Sequence, residues 1–290
     1  MQWRRVAVMA VGTAMFSGPV LAQIAFEDVT EAAGLSDSAT DTWGASWGDL
    51  GDLYPDVFST NHFSRATLFR YNPADGTFSE VSKEVDVSNT PGWTGGREDI
   101  DQHGSAWADV DNDGDKDLMI SVSSTEDQLL INENGVLVNR TTELGVDTLD
   151  HRGNRITIFV DYTGDGALDL MTASLTRPTL WPQLAGGTFD NSVRDRLDCV
   201  SDASFAHLAD VHPNPGLELL CAPRNGVYPA NVYSFVNGEV LDVSGVVPTY
   251  NRVNDVAVAD FNGDLLPDLL LAIASSRPSG VTQASDNSIE

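Results

Sequence analysis

Short acidic segments are the part of the sequence best suited to chemistry. The segment DVDNDGDKD places aspartate side chains at positions 1, 3, 5 and 9, and the residue at position 7 can offer its backbone carbonyl. A hard cation such as calcium takes 6 to 8 oxygen ligands, which a loop can supply by alternating ligands with free residues. Gly114 permits the sharp turn that this wrapping needs. The segment therefore predicts a calcium site built from Asp109, Asp111, Asp113, Asp115 and Asp117.

Four further segments repeat this pattern. Two are intact, DYTGDGALD and DFNGDLLPD, and they predict calcium ligands at Asp161, Thr163, Asp165 and Asp169 and at Asp260, Asn262, Asp264 and Asp268. Two are eroded, DLGDLYPD and DVHPNPGLE, and they give weaker metal candidates at Asp49, Asp52 and Asp56 and at Asp210, His212, Asn214 and Glu218. The alternative is a solvated acidic turn without a metal. Carboxylates crowded into so few residues repel one another unless a cation is present, which favours the metal.

The elements around the acidic segments are short apolar runs. An EF-hand needs a bidentate Glu at position 12 on an exiting helix, whereas position 12 here is Ile120, Thr172 or Leu271. The runs have the length of strands and lack helical periodicity. Further apolar runs follow each acidic segment, and the whole pattern recurs about every 50 residues, with one longer spacing of 60. Three or four strands in each repeat predict an all-β fold, a β-propeller with acidic calcium loops in its hairpins.

The domain organisation follows from the same repeats. Residues 1–22 read as a signal peptide, because Arg4 and Arg5 precede an apolar run and Ala22 ends a small-residue cleavage site. Residues 23–274 hold the five repeat motifs of the predicted propeller, and residues 275–290 form a polar tail. Two arrangements stay open. Either Phe26–Thr30 completes the last repeat in a small five-unit ring, or the chain is an incomplete part of a longer propeller, which we favour because the tail lacks an apolar strand.

The signal peptide and the net charge limit where the protein is expected to be found and what it is expected to bind. The leader predicts a secreted protein, extracellular or periplasmic, with no integral membrane segment after cleavage. Its apolar run is broken by Gly12, Ser17 and Pro19 before it reaches the length of a membrane span. The chain carries 16 Lys and Arg against 43 Asp and Glu, a net charge of -27. Nucleic acid is therefore excluded as the expected partner, because phosphate contacts need a basic surface.

The acidic turn between two apolar strands resembles the FG-GAP or VCBS repeat of integrin-α-like β-propellers. The segments FEDVTEAAGL, WGD and WAD are similar to the secreted cartilage-acidic-protein-like group within that class. The resemblance covers most of the chain from Phe26 to Ile273. It implies a propeller, often seven-bladed, with calcium in the hairpin between the first two strands of a blade and with loops that contact partners.

Two classes of function follow. The first is a secreted calcium-binding module for interaction or adhesion, whose partner is an extracellular protein or glycan. The second, less favoured, is an extracellular hydrolase or lyase on a propeller scaffold. The string GASWG matches the nucleophile elbow G-x-S-x-G, but Ser46 aligns with a position inside the first strand of the repeat and no helix follows. We therefore assign no catalytic residue.

Two features outside the repeats remain. The segment Asn89–Gly104 is a long insertion, in which Trp93 and Arg97 are candidates for a binding loop. Cys199 and Cys221 are the only cysteines and allow one disulfide in an oxidising compartment, although two buried thiols fit the sequence as well.

Overall fold

The computed structural model describes most of the repeat region and leaves out both ends of the chain. The described residues are 27–36, 42–61, 66–82, 101–123, 126–146, 154–174, 178–190, 195–197, 203–212, 216–223, 231–236, 238–244, 253–261 and 267–273. The predicted signal peptide, the polar tail and the binding-loop candidates Trp93 and Arg97 lie outside them, as do Asn214, Asn262 and Asp264.

The described chain is all-β and is built from five antiparallel sheets that follow one another in sequence. We call these sheets units 1 to 5. Unit 1 contains β1 (Thr42–Gly48), β2 (Asp56–Asn61), β3 (Thr67–Asn72) and β4 (Thr77–Glu80). Unit 2 contains β5 (Gln102–Ala108), β6 (Asp117–Val122), β7 (Gln128–Asn132) and β8 (Leu137–Asn139). Unit 3 contains β9 (Asn154–Val160), β10 (Asp169–Ser174), β11 (Thr179–Trp181) and β12 (Asp195–Arg196). Unit 4 contains β13 (Ala203–Ala209), β14 (Glu218–Pro223), β15 (Asn231–Val236) and β16 (Glu239–Asp242), and unit 5 contains β17 (Val253–Ala259) and β18 (Asp268–Ile273).

Each sheet is a meander in which sequential strands pair, as short apolar runs joined by turns predict. The acidic segment connects the first two strands of every unit. In unit 2, for example, Ala108 pairs with Asp117, so β5 ends just before the acidic turn and β6 begins on its last residue. A hairpin with fixed register on both sides therefore holds the two ends of each acidic loop close together.

The core lies between units and inside the sheets. One buried cluster contains Leu50 and Phe58 of unit 1 together with Leu118 and Ile120 of unit 2. A second contains residues of units 2 and 3, among them Val110 and Trp181, which is 1% exposed. Burial of such large apolar side chains stabilises each contact by about 1.5–3 kcal/mol per side chain. Each unit thus depends on its neighbour for its core.

The described sheets do not close into a ring. Trp47 at the free side of unit 1 is 62% exposed, and Phe261 in unit 5 is 57% exposed. Residues 27–30, part of the segment that would complete the last repeat in a five-unit ring, lead into a turn over residues 30–34, and Phe78 N donates to Ala33 O at 2.7 Å. This hydrogen bond places the turn against unit 1.

The remaining expectations about the fold concern the cysteines and the membrane. Cys221 is fully buried in β14 and is disulfide-bonded, while Cys199 lies outside the described residues. No helix in the described ranges combines the length and the apolarity of a membrane span.

Candidate metal centre

The acidic turn of unit 2 brings carboxylates together. One oxygen each from Asp109, Asp111 and Asp117 lies within 4.8 Å of the other two. Asp109 follows β5 directly and Asp117 opens β6, so the hairpin sets the distance between them. Carboxylate oxygens at this spacing are the donor set that calcium prefers.

The backbone of this turn is held by its own side chains. The Asp109 carboxylate accepts hydrogen bonds from Asp113 N at 3.0 Å and Gly114 N at 3.1 Å. Asn112 and Gly114 adopt positive φ angles of 61° and 101°, which Asn and Gly tolerate best. The turn is thereby shaped around the first carboxylate. The converging group does not include the Asp113 carboxylate, and the predicted role of Asp115, through its backbone carbonyl, stays a prediction.

Asp117 is fully buried and both of its carboxylate oxygens are occupied. Oδ2 accepts Val110 N at 2.7 Å and Oδ1 accepts Asn132 N at 2.8 Å. Burial raises the pKa of Asp117 to about 6, and the carboxylates of Asp111 and Asp113 act in the same direction, while the two backbone hydrogen bonds oppose the shift. Without a cation the ionised form is therefore costly near neutral pH.

Asp111 is perturbed in the same direction. Burial raises the pKa of the Asp111 carboxyl, and the neighbouring charges of Asp113 and Asp109 raise it further. A divalent cation among these oxygens would remove the repulsion and stabilise every ionised carboxylate at once. The donor chemistry and the electrostatics of the unit 2 turn thus fit calcium.

The turn of unit 1, predicted to be a weak candidate, is the second converging group. Oxygens of Asp49, Asp52 and Asp56 also lie within 4.8 Å of one another. However, Arg70 Nε forms an ion pair with Asp52 Oδ2 at 3.1 Å. A guanidinium from β3 therefore supplies part of the counter-charge that a metal would supply in unit 2. Sequence reasoning missed Arg70, whose only signal is a basic residue within an apolar strand.

The turn of unit 3 is arranged differently. Asp161, Asp165 and Asp169 are not among the converging groups of the described residues. The Asp161 carboxylate accepts three backbone N–H groups, from Gly164, Asp165 and Gly166 at 2.7, 3.2 and 2.9 Å. Burial raises the pKa of Asp169, whose carboxylate also accepts backbone hydrogen bonds. The backbone of this turn is held by its opening aspartate, as in unit 2, but its carboxylates bond to the backbone and do not converge on one another.

The turns of units 4 and 5 are described in part. In unit 4, Asp210 is exposed, His212 is half-buried and Glu218 is fully buried. In unit 5, Asp260 is exposed and Asp268 is half-buried. These residues keep their predicted positions at the ends of the first two strands, and their metal-binding roles stay predictions.

The last acid of the turn has a structural role in all five units that the sequence analysis did not identify. The first residue of each turn is its opening aspartate. In every unit the carboxylate of the last acid accepts the N–H of the residue that follows the opening aspartate, at 2.7 to 3.0 Å. The donors are Leu50, Val110, Tyr162, Val211 and Phe261. In units 1 and 2 the second oxygen accepts an N–H of the third strand, from Tyr71 and Asn132, and in unit 3 it accepts the N–H of Gln183, two residues after the third strand. We call this acid the clasp carboxylate. The sequence signal for this structural role was that an acid, Glu218, still occupies the last position of the turn in the most eroded copy.

A small cleft adjoins the unit 2 turn at the boundary with unit 3. Its volume is about 260 Å³, and its lining includes Asp111, Glu133, Arg140, Glu143 and Gln183. Arg140 forms ion pairs with Glu143 at 2.7 Å and with Glu133 at 2.5 Å. The cleft is open, and the apolar residues Val110, Ile131 and Leu144 line it together with these polar side chains. It adjoins the one turn whose converging carboxylates have no basic partner in the ion pairs of the described chain.

Ser46 lies inside β1, as the repeat alignment predicts. Its Oγ lies 2.6 Å from Ser105 Oγ and accepts a hydrogen bond from Trp107 Nε1 at 3.1 Å. Both contacts belong to the packing of unit 1 on unit 2. No described contact gives Ser46 the strained turn or the histidine that a nucleophile requires.

A family model for FG-GAP-like repeats matches residues 50–120 and 109–172. The matched region begins in the unit 1 turn and covers the acidic turns of units 2 and 3. This part of the chain is made of FG-GAP-like repeats. The FG-GAP prediction is confirmed there, and the narrower likeness to the cartilage-acidic-protein-like group stays a prediction. No curated protein matches the chain in sequence.

Two solved structures are similar to the chain. One, a lectin from Agrocybe aegerita described in its specific recognition of non-reducing terminal N-acetylglucosamine, has 16% identity and a TM-score of 0.51 over 80% of this chain and 61% of its own. The other, the V. cholerae biofilm matrix protein Bap1, has 16% identity and a TM-score of 0.44 over 76% of this chain and 31% of its own. The chain therefore spans less than two thirds of either structure. At this identity the lectin supports the fold of the FG-GAP repeats and nothing about their ligand.

Proposed function

We propose that this chain is a secreted, calcium-stabilised interaction module with a propeller-like arrangement of FG-GAP repeats. The observation that carries the proposal is the converging set of Asp109, Asp111 and Asp117 in the matched region. In the unit 2 turn, Asp111 and Asp109 would hold the ion from the exposed side, and the clasp carboxylate Asp117 from the buried side. The ion supplies the positive charge that these acids lack, and so fixes the loop.

The module would use this fixed loop to bind a polar extracellular ligand. The cleft next to the unit 2 turn offers carboxylates and the guanidinium of Arg140. Such groups suit the hydroxyl-rich surface of a glycan or a polar loop of a protein better than an apolar molecule. The lectin that shares this fold is described in the recognition of a glycan, and we carry that class of partner to this chain as part of the proposal. A secreted location rests on the predicted signal peptide.

The proposal is tested by binding in the presence and absence of calcium. The mature chain is applied to a glycan array that includes non-reducing terminal N-acetylglucosamine, and to surface extracts of the source cells, in 1 mM calcium or in chelator. We expect binding that disappears in chelator, in Asp111→Asn and in Arg140→Ala, and that persists in the control Glu239→Gln, which removes an exposed acid far along the chain. Binding that is equal in calcium, in chelator and in both site variants would contradict the assignment of this loop and cleft.

The enzymatic alternative has a separate readout. A hydrolase or lyase would release products from an array glycan or a polysaccharide film over time, whereas a binding module would leave the ligand intact. No observation in the described residues favours catalysis over binding.

A further inference from the structure

The units pack on one another through one repeated contact. A residue two positions before the opening aspartate of a unit packs into an apolar cluster of the preceding unit. These residues are Trp107 in unit 2, Phe159 in unit 3, Leu208 in unit 4 and Val258 in unit 5. The clusters that receive them contain the residue after the opening aspartate of the preceding unit, namely Leu50, Val110, Tyr162 and Val211. All four boundaries between the units therefore use the same two positions.

The first boundary shows what the inserted residue needs. A Cβ added at Gly48 would lie 2.1 Å from Cδ2 of the Trp107 ring, so the ring rests directly on the glycine. Trp107 Nε1 also donates to Ser46 Oγ at 3.1 Å. The preceding unit therefore presents small residues at the positions of Ser46 and Gly48, and a large apolar residue at that of Leu50.

Unit 1 presents the inserted residue, and no other unit among the described residues receives it. Trp47 occupies in β1 the position that Trp107 occupies in β5, and it is 62% exposed. Its ring makes an edge contact with Phe78 of the same sheet, with centroids 6.2 Å apart. We call the surface around Trp47 the front face.

Unit 5 presents the receiving positions, and no residue of the part of the chain that the structure describes is inserted there. Ala257 and Ala259 occupy the positions of Ser46 and Gly48 and are exposed. Phe261 occupies the position of Leu50 and is 57% exposed, whereas Leu50 and Val110 are each 1% exposed. We call the surface of Ala257, Ala259 and Phe261 the rear face.

The N-terminal segment marks the place of a unit in front of unit 1. In unit 2 the turn after β8 is hooked to unit 3 by the hydrogen bond from Phe189 N to Leu144 O, at 2.9 Å. In the N-terminal segment, Phe78 N donates to Ala33 O at 2.7 Å in the same way. Residues 27–36 therefore lie on unit 1 as the end of a preceding unit would, and they leave the inner part of the front face, at Trp47, uncovered.

We propose that the front face of one copy of this chain binds the rear face of a second copy. The two faces carry the same pair of positions that meet at all four internal boundaries. Within one chain they do not meet, because Trp47 and Phe261 are both exposed over more than half of their surface. The contact is heterologous, head to tail, so it continues from copy to copy unless the assembly closes. It is independent of the proposed calcium and ligand binding.

The test is the oligomeric state of the mature chain by sedimentation velocity, at 150 mM salt or above, because the net charge of -27 opposes association at low salt. We expect the wild type to associate as its concentration rises. Trp47→Glu blocks the front face and Ala259→Arg blocks the rear face, and each should weaken association at least tenfold. Val136→Lys, at an exposed apolar residue outside both faces, should associate like the wild type.

Mixing the two face variants separates this contact from any other kind of association. Trp47→Glu keeps an intact rear face and Ala259→Arg keeps an intact front face, so an equal mixture should form a complex of two copies and stop there. A misfolded variant would not complement its partner, and circular dichroism of each variant checks the fold.

Three outcomes would overturn the proposal. The wild type could be monomeric with Trp47 shielded from acrylamide, measured against Trp47→Phe, which would mean that the two faces close within one chain. It could be monomeric with Trp47 accessible, which would leave the faces to a different protein or to further repeats. It could associate equally well in both face variants, which would place the contact elsewhere.

Discussion

The clasp carboxylate of unit 2 allows a quantitative prediction through Asp117→Ala. The substitution removes the acceptor of two buried N–H groups, those of Val110 and Asn132. Leaving a buried donor unsatisfied costs about 1–3 kcal/mol, so two cost about 2–6 kcal/mol. The substitution also removes a carboxylate whose pKa is raised to about 6. Relative to an ordinary aspartate, ionising that group at pH 7 costs up to about 3 kcal/mol, which the variant regains.

The two effects have opposite signs, and their balance depends on pH. At pH 7 in chelator we expect Asp117→Ala to lower the free energy of unfolding by at most about 3 kcal/mol, because about 2–6 kcal/mol is lost and about 3 kcal/mol is regained. At pH 5 the wild-type carboxyl is mostly protonated, so the variant regains less than at pH 7 and its loss of stability should be larger. Added calcium at pH 7 should enlarge the loss as well, because the wild type then gains a bound ion that the variant holds less tightly.

The assay is urea unfolding followed by tryptophan fluorescence, with Asp113→Ala as the matched control. Asp113 lies in the same turn, is exposed, and its carboxylate accepts only the N–H of Asp115 at 2.9 Å among the hydrogen bonds found for it. Its replacement should cost less than about 1 kcal/mol in chelator. The reasoning is refuted if Asp117→Ala is no less stable than Asp113→Ala at both pH values.

Three further predictions concern the other turns. Burial raises the pKa of Asp117 to about 6 and also raises those of Asp56 and Asp169, so the folded state binds more protons than the unfolded state between about pH 4 and 6. The chelated protein should therefore melt at a higher temperature at pH 5 than at pH 7, and calcium should remove that difference. Among the described residues no donor meets the buried Glu218 Oε1; Glu218 pairs with Ser234, so the residue in the position of the donors Tyr71 and Asn132 is Phe235. Glu218→Asp should shorten the side chain to the length used in units 1 to 3 and raise the urea midpoint, by about 1 kcal/mol of stability, and a lowered midpoint would contradict this. Arg70→Met removes the counter-charge of the unit 1 turn, so it should cost at most about 1 kcal/mol in chelator and less in calcium, and an equal cost in both would show that this turn takes no ion.

The all-β fold could be predicted from the sequence because the same pattern of apolar runs and acidic turn occurs five times. Apolar runs on both sides of an acidic turn define the first hairpin, and the third run was found in units 1 to 4. The end of unit 3 was harder, because Phe189 makes only an isolated bridge to Gln183 and the fourth strand is Asp195–Arg196. Local sequence does not decide which of two adjacent polar segments completes a sheet edge.

The site was predictable in its residue types and only partly in its geometry. Spacing identified Asp109, Asp111 and Asp117, which converge. It gave the unit 1 turn as a weak candidate, although the shorter loop also brings its three acids together, and it could not foresee Arg70, which reaches Asp52 from β3. Contacts between strands that are far apart in sequence depend on register, which a local motif does not specify.

Isothermal titration with calcium tests the central claim most directly. The mature chain, freed of metal by chelator, is titrated beside Asp111→Asn and the control Glu239→Gln, which removes one exposed acid outside the acidic turns. We expect saturable calcium binding by the wild type and by Glu239→Gln, and one site fewer in Asp111→Asn, with a rise in melting temperature that follows the same order. If the wild type takes up no calcium, or if Asp111→Asn binds as many ions as the wild type, the unit 2 turn is not a calcium site and the proposed function loses its basis.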